Sequence, residues 1–272
     1  MQFAKKLTSV LKNIGFVQSK ADPCLFVRRN ELGLVIVISY VDDCAAGGSK
    51  AALDQMLAQI KESELSFTVN EDMRDYLSCE VLFNTDHTKG WLGQPHMIKK
   101  IKKVFGEAVA KLPQYRTPGT PGVGLVRPKE EEKLASLEDQ HTMRSGTGML
   151  LYLVKHSRPD IANAVRELTK CLIGAHPAAM KEMYRVIKFV LDTQSMGLRL
   201  EPKMEGTKIV FLLKGYCDSD WAGDKDTGKS TSGGCIMRGS HLIKSWSIGQ
   251  QTIAMSSGEA ELYAMTRTAT QL

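Results

Sequence analysis

Two adjacent aspartates, Asp42 and Asp43, follow an almost unbroken apolar run over residues 34–41. Carboxylates that close repel one another, so the pair costs free energy unless cations sit beside it. A divalent metal would neutralise both, and phosphoryl transfer with two metal ions uses such clusters. Aspartate is also a favoured turn residue, and a surface hairpin can carry two with no chemistry attached. Two more acidic stretches lie far downstream. In YCDSDWAGD, residues 216–224, a strand is expected to end at Asp218, with Asp220 and Asp224 close by. In SSGEAELYA, residues 256–264, Ser256 and Glu259 form a capping box, so Glu259 is expected to satisfy a helix N-terminus. Glu261 stays free in the same first turn. Taken alone it reads as a solvated surface acid, but a strand aspartate and a helix glutamate can converge on one metal pair.

Residues 223–230, GDKDTGKS, satisfy the phosphate-loop pattern G-x-x-x-x-G-K-[ST]. Read literally, Lys229 would meet phosphates and Ser230 a magnesium ion. Such a loop must open a helix, whose N-terminus stabilises the anion. Here TSGGCIMRGS follows, which reads as a strand, and Asp224 and Asp226 would repel phosphate. The nucleotide-binding reading is therefore set aside. A helix expected over residues 97–105 carries Lys99, Lys100, Lys102 and Lys103, which could track a phosphate backbone. A solvated lysine-rich face explains the same residues.

These groups need positioning elements. Phe3, Leu7, Val10, Leu11 and Ile14 recur at helical spacing up to Gly15. A turn at Asp22-Pro23 precedes a strand over 24–28. The β-branched run 34–41 reads as a buried strand, and the small residues after Asp43 suit a returning hairpin. A helix is expected over 50–62 and a strand over 76–83. Proline and glycine cluster over 115–128, the best boundary in the first half, and the charged run KEEEK follows at 129–133. Residues 145–193 read as helices. Arg158-Pro159-Asp160 opens one with Ile161, Val165, Leu168 and Leu172 on its apolar face. Pro177 opens the next, which carries Met180, Met183, Ile187, Val190 and Leu191 and stops by Gly197. Strands follow from about residue 206, then a helix from Ser256.

The chain has 272 residues, 43% of them hydrophobic, and a net charge of +6, which tolerates a nucleic-acid partner without demanding one. Its six cysteines form no C-x-x-C pair and meet no histidine at zinc spacing, so a structural zinc site is not expected and the thiols read as reduced. There is no secretory signal and no apolar run long enough for a membrane span. An intracellular location is expected, cytoplasmic (in a virus-like particle) or nuclear.

Taken in order, these motifs resemble copia-type retrotransposon polyproteins along essentially the whole chain. GFVQSKADPCLFVRR, the YVDD strand and LGQPHMIKKIKKVFG resemble the end of the reverse transcriptase. YRTPGTP and RSGTGMLLYLVKHSRPDIANAV resemble the connecting segment. GYCDSDWAGDKDTGKSTSGG and SSGEAELYAM resemble the opening of the ribonuclease H. YVDD alone is a weak signal; the joint series with SRPDIA, DSDWAGD, KSTSG and SSGEAE is highly specific. The resemblance implies an α+β palm and thumb fragment over 1–112, a linker and helical connection over 113–205, and an incomplete α/β ribonuclease H-like fold over 206–272.

It also implies roles. Asp42, as principal ligand, and Asp43 would bind Mg2+ or Mn2+ for DNA synthesis. Asp218 and Glu261 would do so for cleavage of the RNA strand of an RNA–DNA hybrid, with Asp220 in reserve. Lys99, Lys100, Lys102 and Lys103 would face nucleic acid. The implied partners are primer–template, RNA–DNA hybrid, deoxynucleoside triphosphates in the parent enzyme, and the remaining polyprotein segments. The family takes further carboxylates from upstream and downstream segments, so the isolated chain is expected to be inactive. The alternative is a non-catalytic relic that at most binds nucleic acid weakly. In YLSCEVLF the pattern departs: Ser78 stands where the family has glycine, which puts the primer-gripping hairpin in doubt.

Overall fold

The computed structural model describes residues 2–63, 65–71, 73, 75–86, 88–128, 134–201, 204–205, 208–209 and 212–272. The charged run at 129–133 lies outside them. The chain is a mixed α/β protein of two compact units, Met1–Leu77 and Ser78–Leu272.

The first unit contains helix α1 (Gln2–Asn13), strands β1 (Val17–Gln18), β2 (Leu25–Asn30), β3 (Gly33–Tyr40) and β4 (Asp43–Gly48), and helix α2 (Lys50–Lys61). The strands form one antiparallel meander in the order β1-β2-β3-β4. Leu7 and Leu11 of α1, and Ala52, Met56 and Ile60 of α2, are spaced four residues apart. They bury one stripe of each helix against Phe26, Val35 and Val37 of the sheet. The alternate residues Ile36, Ile38 and Tyr40 are therefore exposed on the other sheet face. Gly15, at φ +91, ends α1 in the left-handed conformation that suits glycine. Arg28 is buried, and its guanidinium donates to the carbonyls of Ile14 and Ala52 and to Gln59 Oε1, tying both helices to the sheet.

The second unit begins with β5 (Glu80–Phe83), β6 (Gly90–Gly93) and helix α3 (Pro95–Val109). Helix α4 (Leu137–His156), a 3-10 turn (Pro159–Ile161), α5 (Ala162–Thr169) and α6 (Pro177–Asp192) follow. Then come β7 (Leu198–Leu200), the small pair β8 (Met204–Glu205) and β9 (Lys208–Ile209), strands β10 (Leu213–Asp220), β11 (Thr231–Arg238) and β12 (His241–Gly249), and helix α7 (Ser257–Ala269). β5-β6-β7 form one antiparallel sheet and β10-β11-β12 another. The strand expected over 76–83 is confined to Glu80–Phe83, because Leu77 and Ser78 take φ of 54 and 61, outside the strand region.

One core joins α3 to the later helices. Ile101, Phe105 and Val109 pack with Met143, Leu150, Ile161, Val165, Met183 and Ile187. The proline- and glycine-rich stretch therefore connects helices of one core. Gly146 permits the crossing of α4 with α6, since a Cβ there would lie 2.5 Å from Met183 Sδ. Arg158 is fully buried: it donates to both carboxylate oxygens of Asp160, at 2.9 and 2.8 Å, and to the carbonyl and hydroxyl of Thr193 past the end of α6. Its charge is thus neutralised and all but one of its N–H donors are engaged.

Candidate functional site

Asp42 and Asp43 sit at the tip of the β3–β4 hairpin. Tyr40 pairs with Asp43, so Val41 and Asp42 form a two-residue turn. Val41 adopts φ 54, an unusual conformation for a β-branched residue and one that costs about 1–2 kcal/mol. Strain of this kind persists where the surroundings over-determine it, often at functional sites. Both aspartates are exposed, and neither carboxylate hydrogen-bonds or ion-pairs with a described residue. Small residues in β4 let the two strands close up: a Cβ on Gly48 would lie 2.4 Å from the Leu34 carbonyl oxygen. Partial desolvation, then the charges of Cys44 and Asp43, push the Tyr76 phenol above its usual range. Desolvation and Asp43 do the same to the Cys44 thiol. Both groups therefore stay protonated beside the carboxylates at neutral pH. Tyr76 was not legible as a neighbour, because no pattern links it to a hairpin over thirty residues away.

The second acidic pair lies on β10 and α7. Ser256 Oγ accepts from the Glu259 N–H, and the Glu259 carboxylate reaches back to the Met255 N–H at 2.7 Å, so the capping role holds. The bond from the Met255 N–H, with one from the Tyr263 hydroxyl, holds the Glu259 carboxyl below its usual range. Glu261 Oε1 crosses to the strand, where it accepts from the Ser219 N–H at 3.1 Å and from the Ser219 hydroxyl at 2.9 Å. Ser219 faces α7, so strand alternation directs Asp218 and Asp220 toward the opposite face. The structure thus brings Glu261 to the backbone between the two aspartates without joining the three side chains. The Asp220 carboxylate instead packs over Gly223, where a Cβ would lie 1.8 Å from Oδ2.

The phosphate-loop look-alike is a turn that feeds strand β11, with no helix behind it. Gly228 takes φ +67, Asp224 Oδ1 accepts from the N–H groups of Asp226 and Thr227, and Ser230 is buried with its Oγ bound to the Ala222 N–H. Its acids are engaged by cations and amides. Lys170 bridges Asp224 at 3.1 Å and Glu167 at 2.9 Å; Asp226 accepts from the Arg127 N–H; Arg166 joins Glu167 to the Thr231 hydroxyl. Partial desolvation works against the charged form of Asp224, but hydrogen bonds from Lys170 and Thr227 outweigh it and hold the carboxyl below its usual range. Sequence reading missed this network, because its members are drawn from three separate segments.

Cys171 and His176 make another pairing. Cys171 Sγ lies 3.5 Å from His176 Nε2, and both approach the Val126 carbonyl. His176 Nδ1 accepts from the Ala179 N–H at the start of α6, so Nε2 carries the proton and cannot serve as a base for the thiol. Desolvation, with Glu167 nearby, pushes the thiol up to about 11. The pair is structural.

Lys99, Lys100, Lys102 and Lys103 are exposed on α3, while Ile98, Ile101 and Phe105 are buried. None of the four makes an ion pair with a described residue. Among the described residues, no three His, Cys, Asp or Glu side chains gather so as to hold a metal ion, and no helix is long and apolar enough to cross a membrane.

The chain is similar to the Retrovirus-related Pol polyprotein from transposon TNT 1-94 of Nicotiana tabacum, at 28% identity over 288 residues, 100% of this chain and 20% of that protein. The corresponding polyprotein from transposon RE1 of Arabidopsis thaliana is 28% identical over 267 residues, 98% of this chain and 17% of that protein. Secreted RxLR effector protein 161 of Plasmopara viticola is 36% identical over 121 residues, 44% of this chain and 82% of that protein. The chain spans about a fifth of the length of these Pol polyproteins. No family model matches it, and no solved structure does.

Proposed function

We propose that this chain, a homologue of copia-type retrotransposon Pol polyproteins, carries carboxylates for two phosphoryl-transfer reactions. Asp42 and Asp43 belong to RNA-directed DNA synthesis on a primer–template. Asp218 and Glu261 belong to hydrolysis of the RNA strand of an RNA–DNA hybrid, with Asp220 in reserve. Residues 1–112 are read as palm and thumb-like, 113–205 as linker and connection, and 206–272 as the opening of a ribonuclease H-like domain.

The observation that carries the reading is the bond from Ser219 to Glu261. It ties the α7 glutamate to the strand residue next to Asp218, across 42 positions of sequence. A capping or merely solvated glutamate would not reach there. Asp42 and Asp43 offer hard, exposed carboxylate oxygens that suit Mg2+ or Mn2+, with no protein cation beside them among the described residues, whereas Asp218 and Glu261 lie toward opposite faces of the strand and do not form one donor set here. A bound metal would activate a hydroxyl or water and stabilise the leaving oxygen. The chain's own contributions are more modest. The strained hairpin holds Asp42 and Asp43 outward. Ser219 holds Glu261 Oε1, and Oε2 has no partner among the described residues. The α3 lysines favour a phosphate backbone, and deoxynucleoside triphosphates would meet Asp42 and Asp43 in the parent enzyme.

Substitution within a whole Pol polyprotein separates the two reactions. Asp42→Asn is expected to abolish primer extension and spare hybrid cleavage; Glu261→Gln is expected to do the reverse. Cleavage untouched by Glu261→Gln and by Asp218→Asn would overturn the second assignment. The isolated chain is expected to bind hybrid without extending a primer, and metal-dependent extension lost on Asp42→Asn would refute that part.

A further inference from the structure

Strand β10 is an edge of its three-stranded sheet and pairs with β11 on one side only. Its principal packing partners among the described residues are β11 and helix α7. Backbone groups alternate in direction along a strand. The Ser219 N–H donates to Glu261 Oε1 and so points away from β11. Leu213, Gly215 and Cys217 share its parity along the regular ladder, so their N–H and C=O groups point the same way. Glu261 thus closes the edge at Ser219 and leaves it open over residues 213–217.

Helix α7 runs antiparallel to β10. Glu261 meets Ser219 near its start, and Thr268 and Leu272 lie over Gly215 near its end, where a Cβ would come within 2.7 Å of Thr268 Cγ2. Its buried stripe is Ala260, Ala264 and Thr268. Met265 follows Glu261 by one turn and Ala269 by two, so this row lies on the side of the open edge. Met265, the neighbouring Leu262, and Leu272 just past the helix are each more than half exposed.

We propose that two copies of this chain pair through β10, antiparallel about a two-fold axis, joining two three-stranded sheets into one. Both α7 helices fall on one sheet face only if the axis passes through a residue rather than between two. Centred on Tyr216, Gly215 of each copy opposes Cys217 of the other, with a reciprocal pair of main-chain hydrogen bonds on each side of the axis. That register leaves the Ser219 N–H to Glu261. Centring on Cys217 would require the Ser219 N–H for Gly215 and break the Glu261 contact. Centring on Gly215 gives Lys214 no acid, and centring on Asp218 sets that carboxylate against itself. About Tyr216, Lys214 of one copy lies opposite Asp218 of the other, and the symmetry repeats the pair. Both side chains are exposed, and neither has an ion-pair partner among the described residues.

Paired strands lie about 4.8 Å apart and packed helices about 8–10 Å. Because α7 straddles β10 and β11, it is set back from the edge. The two α7 helices therefore come side by side, and Leu262, Met265, Ala269 and Leu272 of each copy cover those of the other. A foreign strand would find the same edge without the matched charges and without the second helix. The pairing does not rely on either phosphoryl-transfer assignment.

Sedimentation velocity of the whole chain, in metal-free buffer so that no cation competes with Lys214 for Asp218, is expected to show a monomer giving way to a species of twice its mass below about 100 µM. Amide exchange at Gly215 and Cys217 is expected to slow as the dimer forms. Lys214→Glu and Asp218→Lys each set like charges opposite one another twice, and each is expected to weaken the dimer about tenfold or more. Mixing the two variants restores both opposite-charge pairs in a heterodimer, which is expected to form at the concentrations of the unmodified dimer. That recovery also shows that both variants fold. A chain that stays monomeric to about 100 µM would overturn the proposal. So would a dimer without protection at Gly215 and Cys217, or one that neither variant weakens, either of which would place the contact elsewhere.

Discussion

Lys170 joins two carboxylates that would otherwise face each other, so its removal isolates what the α5 contact contributes. Its side chain is 10% exposed, Glu167 13% and Asp224 21%, and both bridges are close to 3 Å. In Lys170→Met the aliphatic stem is retained and the charge removed. Breaking a buried ion pair from one side costs about 3–5 kcal/mol, most of it from the charge left behind. Here both acids keep other partners: Arg166 stays on Glu167, and the Asp226 and Thr227 N–H groups stay on Asp224. That places the expected loss lower, at about 2 kcal/mol at pH 7. The Asp224 carboxyl is held below its ordinary value, so its stabilising effect is complete above the unfolded pKa of about 3.9 and is lost as pH falls through the folded value. Urea unfolding followed by tryptophan fluorescence should therefore separate wild type and variant at pH 7 and bring them together as the pH falls through the folded Asp224 value. A difference below about 0.5 kcal/mol at pH 7, or one that persists undiminished in acid, would refute the reasoning. Combining Lys170→Met with Asp224→Asn should cost less than the sum of the two, a coupling that a double-mutant cycle reads directly.

Arg158→Ala should destabilise the second unit by about 3–5 kcal/mol, because Asp160 and the Thr193 carbonyl lose a fully buried partner. Arg158→Lys should recover only part of this, since an ammonium cannot make the forked contact; denaturation midpoints measure both. Ser78→Gly should stabilise by about 1 kcal/mol, because residue 78 sits at φ 61 where a side chain is strained; a lower midpoint would contradict it. Cys171, its thiol pushed up to about 11, should resist alkylation at pH 8 in the folded chain and react on unfolding, as intact-mass measurement would show.

Much of the fold is legible where one local period decides burial. The 3–4 spacing of Met180, Met183, Ile187 and Val190 gives α6 and its buried face, and the β-branched run before Asp42 gives β3. The Ser256 cap fixes the start of α7 to the residue. What stays hidden depends on partners remote in sequence. Arg158 is legible only as part of a helix start, yet it is among the most buried side chains, because Asp160 and Thr193 together satisfy it. The strand expected from Tyr76 starts only at Glu80, since the apolar character of Leu77 says nothing of its backbone angle. Tyr76 itself reaches Cys44 and Asp43 through the fold of the first unit, a proximity that no spacing encodes.

The acidic motifs look alike as sequence and are sorted by what surrounds them. Asp224 and Asp226 have cationic or amide partners on all sides, so their role is to hold the 223–230 turn against α5. Asp160 serves Arg158 in the same way. Asp42 and Asp43 have no such partners among the described residues, although they sit side by side and the hairpin beneath them is strained. Folding alone gives no reason to keep two repelling carboxylates on a strained tip; a natural sequence tolerates such a local conflict where function requires it. Glu261 is intermediate. One oxygen is held by Ser219, and the other has no hydrogen-bond partner among the described residues. The resemblance implies a metal-ligand role for Asp42, Asp43 and Glu261, and none of the three carboxylates has a cationic partner among the described residues.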